Sequence, residues 1–113
     1  MSSGLKVIDH KEGQGEAVKT GNFIQVNYTG WLYENGVRGN KFDSSVGRAP
    51  FEFMVGQGVI AGWSEGVVGM KPGGKRELII PPGLAYGPGG AGGGIIPPNA
   101  TLDFEIELLK ILR

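Results

Sequence analysis

Few side chains in this sequence are of a type that could make or break a covalent bond. Cysteine is absent, and His10 is the only histidine among 113 residues. Without thiols, the sequence excludes disulfide bonds, thiolate zinc sites and a cysteine nucleophile. The sequence GWSEG at residues 62–66 does match the nucleophile elbow of serine hydrolases. In that motif a base-activated serine attacks a carbonyl carbon.

Ser64, the serine of this match, stands in the wrong context for hydrolysis. A nucleophile elbow connects a strand to a helix in a large sheet, and the triad histidine follows the serine along the chain. His10 instead precedes Ser64, and the residues around Ser64 have helical spacing. We interpret Ser64 as a solvent-facing helix residue and His10 as a surface residue. A serine hydrolase is retained only as a third alternative, to be tested by labelling of Ser64.

Two glycine-rich segments match phosphate-binding motifs by their letters alone. The dinucleotide fingerprint at residues 87–92 requires a following helix N-terminus, but prolines stand at 97–98. The near match to a P-loop at residues 69–76 has Arg76 where the Mg²⁺-binding hydroxyl belongs, and Lys75 opens a strand. We therefore expect no cofactor, and the sequence contains no cluster of metal-ligand type.

Charge and composition limit the classes of binding partner and the cellular locations that we expect for this protein. Eleven basic and eleven acidic side chains cancel, so we expect no binding of nucleic acid by charge. Residues 1–10 contain no apolar run of signal-peptide length, and nothing downstream approaches a membrane span. We expect a cytoplasmic monomer without membrane contact and with residues 1–113 as a single domain, although a fragment of a longer protein would show the same features.

Alternation of apolar and polar residues, the pattern of a half-buried strand, recurs along the chain. It is clearest at 102–108 and 24–29, it is shorter at 51–55 and 76–80, and an opening strand is predicted at 5–9. The alternation slips at Leu108 and Leu109, which indicates a bulge or burial of both faces. The 22 glycines are interleaved with these strands, and we interpret them as turns and bends.

One stretch has helical spacing and would place four apolar residues on a shared face: Ile60, Trp63, Val67 and Met70. Three glycines within it, at 62, 66 and 69, each weaken a helix by roughly 1 kcal/mol against alanine, so tertiary contacts must hold it. A sheet with one helix across its apolar face belongs to the α+β class. The segment at 81–100 is long for a connection and carries Tyr86, Ile95 and Ile96 among its glycines, which favours a functional loop.

Six sequence blocks, in order from about residue 5 to the C-terminus, resemble the FKBP family of peptidyl-prolyl cis-trans isomerases, the immunophilins. The blocks are VNYTGWL, KFDSS, PFEFMVG, VIAGWSEGVVGMKPGGKRELIIPP, LAYG and GIIPPNATLDFEIELL. This resemblance implies a five- to six-stranded antiparallel β-sheet wrapped around one short α-helix. It also implies isomerisation of X-Pro bonds in proline-containing polypeptides, a role in protein folding, and binding of tacrolimus or rapamycin in the same pocket.

The resemblance further implies which residues form that pocket. Asp43 and Tyr86 would be catalytic: the Tyr86 hydroxyl and the Ile60 amide donate hydrogen bonds to the bound chain. Asp43 would place its carboxylate at the pocket edge, near the Tyr28 hydroxyl and Arg48. Trp63 would form the floor beneath the proline ring, and the substrate-binding residues would be Tyr28, Phe42, Phe51, Val59, Ile60, Trp63, Ile96 and Phe104.

An apolar pocket suits the chemistry of prolyl isomerisation. Rotation about an X-Pro bond breaks amide resonance across a barrier of about 18–20 kcal/mol and takes tens to hundreds of seconds. The planar amide is more dipolar than the twisted transition state. Apolar surroundings therefore disfavour the ground state relative to the transition state, with no bond broken and no proton moved.

Three segments depart from the compact members of the family. Residues 33–41 form a longer segment, residues 56–58 form a shorter one with Gly58 in place of a larger polar residue, and the loop at 88–94 is longer, nearly bare of side chains and expected to be mobile. These differences leave open a second alternative, a peptide- or partner-binding module with vestigial catalysis.

Overall fold

The computed structural model of the protein describes residues 4–91 and 94–113. Its strands are β1 (Lys6–Lys11), β2 (Phe23–Glu34), β3 (Val37–Ser44), β4 (Phe51–Met54), β5 (Lys75–Ile80) and β6 (Thr101–Ile111), and its helix is α1 (Ala61–Val67). All strand pairs are antiparallel, in the order β1-β5-β6-β2-β3, and β4 pairs with β2. This confirms the predicted α+β class with a six-stranded sheet and one short helix.

The hairpin of β2 and β3 is the largest element that strand alternation did not predict. The predicted strand at 24–29 extends to Glu34, and β3 then returns along it. Asn35 and Gly36, at the turn, have φ values of 52° and 77°. Two consecutive positive φ angles are typical of a type I′ hairpin turn, for which Asn-Gly is a strong sequence signal. That dipeptide could have identified the hairpin.

The slip in alternation near the end of the chain corresponds to an extra residue in β6. Gln25 pairs with Lys110, whereas the next residue, Val26, pairs with Leu108, so Leu109 is unpaired in the register with β2. The bulge predicted at Leu108 and Leu109 is therefore confirmed. Beyond it, Leu108 remains fully buried.

Two of the glycines that weaken α1 also let it approach the sheet closely. A Cβ at Gly62 would lie 2.5 Å from a side-chain carbon of Ile80, and a Cβ at Gly66 would lie 2.5 Å from one of Leu78. Both of those β5 side chains are fully buried. The helix therefore gives up intrinsic propensity for a close contact that a methyl group would prevent.

The long segment between β5 and β6 has its own short-range structure. Its described residues include two 3₁₀ turns, Pro82–Leu84 and Gly87–Gly89. Ala91 and Ile96 then exchange two backbone hydrogen bonds, with N–O distances of 3.0 and 3.1 Å. Residues 92 and 93, at the centre of the loop predicted to be mobile, lie outside the described residues. The segment thus returns tightly on itself before β6 begins.

Candidate functional site

A cavity of about 480 Å³ opens between the sheet, the start of α1 and the long segment before β6. Most of its lining is apolar, and three strands besides β2 contribute to it. The lining residues are Tyr28, Phe42, Asp43, Phe51, Gly58, Val59, Ile60, Trp63, Tyr86 and Phe104. The structure thus brings together nine of the ten residues that the family resemblance implied for the pocket, together with Gly58.

Trp63 is the centre of the aromatic wall. Its ring lies 4.9 Å from Tyr28, 5.2 Å from Phe104 and 5.9 Å from Phe51, centroid to centroid, and all three contacts are edge-on. Such aromatic contacts contribute about 0.5–1.5 kcal/mol each beyond the area that they bury. The indole is 5% exposed, so its neighbours hold it in one orientation while it borders the cavity.

Asp43 forms the polar edge of the cavity. Its Oδ2 accepts a hydrogen bond from the Tyr28 hydroxyl at 2.7 Å. Its Oδ1 accepts from Arg48 Nη2 at 2.9 Å and from the Ser44 backbone N–H at 2.8 Å. The expected proximity of Asp43 to Tyr28 and Arg48 is therefore present. Three donors fix both carboxylate oxygens, which makes Asp43 a rigid, oriented negative charge.

The two tyrosines at the cavity are held in their neutral form. Partial burial, followed by the hydrogen bond to Asp43, raises the pKa of Tyr28 to about 12. Partial burial and then the charge of Asp43 also raise the pKa of Tyr86. A phenol with an ordinary pKa of about 10 is already protonated near neutral pH, and these upward shifts extend that range, so each hydroxyl can donate a hydrogen bond. Tyr86 remains 41% exposed, so it stands at the mouth of the cavity.

A β-bulge explains how two consecutive residues both reach the cavity. Gly30 pairs with Asp43, whereas the next residue, Trp31, pairs with Lys41. Phe42 is therefore the extra residue of β3, and a bulge redirects the side chains next to it. In a regular strand Phe42 and Asp43 would point to opposite faces. The bulge lets an apolar wall and a polar edge come from adjacent positions.

Ser45, which the sequence reasoning missed, supports Tyr28 from the backbone. The Tyr28 N–H donates to Ser45 Oγ at 2.9 Å, and the Ser45 N–H donates to the Tyr28 carbonyl at 2.9 Å. Ser45 is buried. The only signal in the sequence was a serine directly after a strand, a position from which hydroxyls commonly bind backbone groups.

Ile60 and Ile96 were both expected at the pocket, and they lie in different surroundings. Ile60 borders the cavity in extended backbone immediately before α1. Ile96 does not belong to the cavity lining: it is buried in the hydrophobic core and closes the loop through its bonds to Ala91. A direct contact of Ile96 with substrate is therefore not supported by its position. Its placement indicates a role in shaping the loop that carries Tyr86.

Ser64 and His10 each have a structural partner of their own. Ser64 Oγ accepts a hydrogen bond from the Gly56 N–H at 2.9 Å, which ties α1 to the end of β4. His10 Nε2 lies 2.8 Å from Oε1 of Glu77 on β5. Both contacts agree with bridging roles within the fold. Ser64 lies in α1 and is partly exposed, and its hydroxyl also holds the turn after β4.

Residues 4–91 and 94–113 include no group of three or more His, Asp or Glu side chains positioned to hold a metal ion. Within the same ranges, no helix is long and apolar enough to span a membrane.

Comparison with known proteins identifies the family. Residues 14–109 match the family model described as FKBP-type peptidyl-prolyl cis-trans isomerase. The chain belongs to this family. An FK506-binding protein of Neisseria meningitidis serogroup B is 54% identical over 110 residues, which is 96% of each chain. The family resemblance and the isomerase class predicted from the sequence are therefore confirmed.

Solved FKBP structures share the fold. The crystal structure of AtFKBP13 aligns with a TM-score of 0.83 and 43% identity over 96% of this chain and 94% of that one. FkpA from Escherichia coli aligns with a TM-score of 0.85 and 46% identity over 98% of this chain. The chain spans about half of FkpA, 49% of its length. The similarity to FkpA therefore concerns one portion of a longer protein.

Proposed function

We propose that this cavity accelerates rotation about X-Pro bonds and that tacrolimus or rapamycin occupies the same space. The observation that carries the proposal is the set of aromatic rings packed edge-on around Trp63. Together with Val59 and Ile60 they form an apolar surface large enough for a proline ring and its flanking residues. Proline-containing polypeptides are the proposed substrates, and assistance to protein folding is the proposed role.

The cavity would act by excluding water from the prolyl amide. Water stabilises the dipolar planar amide more than the twisted transition state, and an apolar wall removes that advantage. Neutral Tyr86 at the mouth and the Ile60 amide would hold the flanking carbonyls while the bond rotates, which is positioning. Asp43, fixed by three donors, would orient its charge toward the rotating amide from the polar edge.

Isomerisation can be measured directly by NMR exchange or protease-coupled assay on an X-Pro peptide. We expect the protein to shorten an exchange that takes tens to hundreds of seconds without a catalyst. Asp43→Ala and Tyr86→Phe should lower the rate while the fold is retained. Ser64→Ala, outside the cavity, is the matched control and should keep the rate. An unaccelerated exchange with folded protein would contradict the proposal.

A binding module with vestigial catalysis is the second candidate. Gly58 favours it, because this cavity position has a φ of 74° and no side chain with which to contact a substrate. Tight binding of rapamycin together with an unaccelerated exchange would support this second candidate over the first. Labelling by a fluorophosphonate tests the hydrolase alternative separately, and we expect Ser64 to remain unlabelled.

The proposal also includes the setting of the protein. We place it in the cytoplasm as a monomer that binds neither nucleic acid nor membranes. The balance of eleven basic and eleven acidic residues supports the exclusion of nucleic acid. Sedimentation at several protein concentrations would test the monomer, since a mass that rises with concentration would contradict it.

A further inference from the structure

Gly30 lies in β2 between two aromatic rings that come from the strands on either side. A Cβ at this position would lie 2.6 Å from Cε1 of Phe104 and 2.8 Å from Cζ of Phe42. Favourable carbon–carbon contacts are about 3.5–4.0 Å long. The two rings therefore occupy the space that any side chain at residue 30 would fill.

The backbone of Gly30 does not itself require glycine. The residue lies within strand β2 and does not belong to the glycines with positive φ. Gly36, in the hairpin turn of the same sheet, has a φ of 77° and does need the freedom of glycine. At Gly30, by contrast, an alanine would have an allowed backbone. The requirement at this position is for space alone.

Both rings that use this space are part of the cavity wall. Phe42 and Phe104 line the cavity and meet edge-on at 5.5 Å between their centroids. Phe104 is buried and also packs against Trp63, with 5.2 Å between centroids. Since packed neighbours flank Phe104, the open volume adjoining both rings is the cavity itself. A methyl group at residue 30 would therefore push the rings toward the ligand.

We propose that Gly30 is a specificity-determining position, which sets the width of the cavity by letting Phe42 and Phe104 retract against the sheet. The inference rests on the proposed function, because the ligand whose size is selected is the one proposed for this cavity. A large macrolide would contact more of the aromatic wall than a short proline peptide, so its binding should be more sensitive to the position of these rings. Gly30 thus decides which sizes of ligand the aromatic wall admits.

Gly30→Ala tests this by comparing a large and a small ligand. We expect the Kd for rapamycin to rise about tenfold, because overpacking strains the wall on which the macrolide lies. The KM for a proline-containing tetrapeptide should change less. An equal fold-increase in the rapamycin Kd and the tetrapeptide KM, or no increase in either, would overturn the proposal.

Two other glycines provide matched controls. At Gly83 a Cβ would meet nothing within 4 Å, so Gly83→Ala should leave both ligands unaffected. At Gly66 a Cβ would collide with Leu78, which does not line the cavity. Gly66→Ala should lower stability without changing the ratio of the two affinities. A changed ratio in Gly66→Ala would show that overpacking anywhere has the same effect, and would count against Gly30.

A double-mutant cycle covers the case in which Gly30→Ala folds poorly. Phe104→Leu removes the ring atom nearest to the added methyl group. The loss of unfolding free energy in the double variant should therefore be smaller than the sum of the losses in the two single variants. Strictly additive losses in urea unfolding would contradict a collision between residue 30 and that ring.

A crystal structure of Gly30→Ala separates this inference from the proposed function. If rapamycin does not bind and exchange is not accelerated even in the unaltered protein, the proposed function fails. The positions of the rings still decide the inference about cavity width. Rings displaced into the cavity support it, and rings in their original place with a displaced β2 overturn it.

Discussion

Asp43 and Tyr28 show how one residue pair can set the properties of the cavity edge. The Tyr28 hydroxyl donates to a carboxylate that two further donors already hold. Ser45 fixes the Tyr28 backbone from behind. Hydrogen bonds therefore hold Tyr28 at both its hydroxyl and its backbone, while its ring packs against Trp63. These contacts fix the orientation of the Tyr28 hydroxyl and the Asp43 carboxylate, and they point to positioning more than to acid–base chemistry.

The titration of Tyr28 gives a prediction for this pair. Its pKa of about 12 results first from burial and then from Asp43, so Asp43→Asn should lower the pKa while leaving it above 10. Because the folded-state pKa exceeds the unfolded one, the stabilisation is fully present below pH 10 and is lost as the pH rises through 12. Ultraviolet absorption during alkaline titration measures this, with Tyr28→Phe to assign the signal. An unchanged titration in Asp43→Asn would contradict it.

Strand β3 is tied to the rest of the sheet by Arg38, on the face away from the cavity. The guanidinium contacts Asp103 at 3.0 Å and Glu105 at 2.9 Å on β6, and Glu77 at 3.1 Å on β5. It also lies 3.6 Å from the ring centroid of Trp31, a cation–π contact. Since β3 carries Phe42 and Asp43, these contacts hold a cavity wall from outside.

The most buried carboxylate of this group predicts an unusual pH dependence. Asp103 is 1% exposed, and its burial, together with Glu77, raises the pKa to about 6. Because the pKa of Asp103 is higher in the folded state than in the unfolded state, its contribution to stability is fully present below the unfolded-state pKa. That contribution is lost as the pH rises through about 6. We expect lower stability at about pH 7 than at about pH 5, and a weaker difference in Asp103→Asn. Urea unfolding at both pH values measures the free energy of unfolding. The same difference between the two pH values in the unaltered protein and in Asp103→Asn would contradict the prediction.

One hydrophobic core supports both the fold of the whole molecule and the wall of the cavity. Trp63 and Phe104 belong both to the core and to the cavity wall. Truncating either ring would therefore also lower the free energy of unfolding. A Trp→Ala change in a core costs about 3–5 kcal/mol. Binding and stability cannot be separated at these positions.

Ligand linkage gives a prediction for the whole molecule. Rapamycin at one hundred times its Kd should raise the free energy of unfolding by about 2.7 kcal/mol, because it binds the folded state alone. Thermal unfolding with and without rapamycin measures the effect. Trp63→Ala serves as the control, and its stability should respond much less to the same concentration. An equal response in both proteins would place the ligand outside this cavity.

Much of the fold was predictable because strand alternation and helical spacing depend on near neighbours in the chain. The strands at 24–29 and 102–108, the bulge at Leu109 and the helix were all indicated by local patterns. The cavity residues came instead from ordered blocks that resemble a family. Among the residues expected at the pocket, Ile96 alone does not line the cavity, because its backbone pairs with Ala91 and its side chain enters the core.

By itself, the sequence determined the α+β class, the family and the aromatic character of the cavity. Only the tertiary structure decided which side chains enclose the cavity and which glycines have a neighbour in the space of a Cβ. Gly30, Gly62 and Gly66 look alike in the sequence, yet Gly30 faces rings from β3 and β6, whereas the two helix glycines face side chains of β5. The physical reason is that close approach is a property of pairs brought together across the sheet, and no periodicity along one strand encodes it.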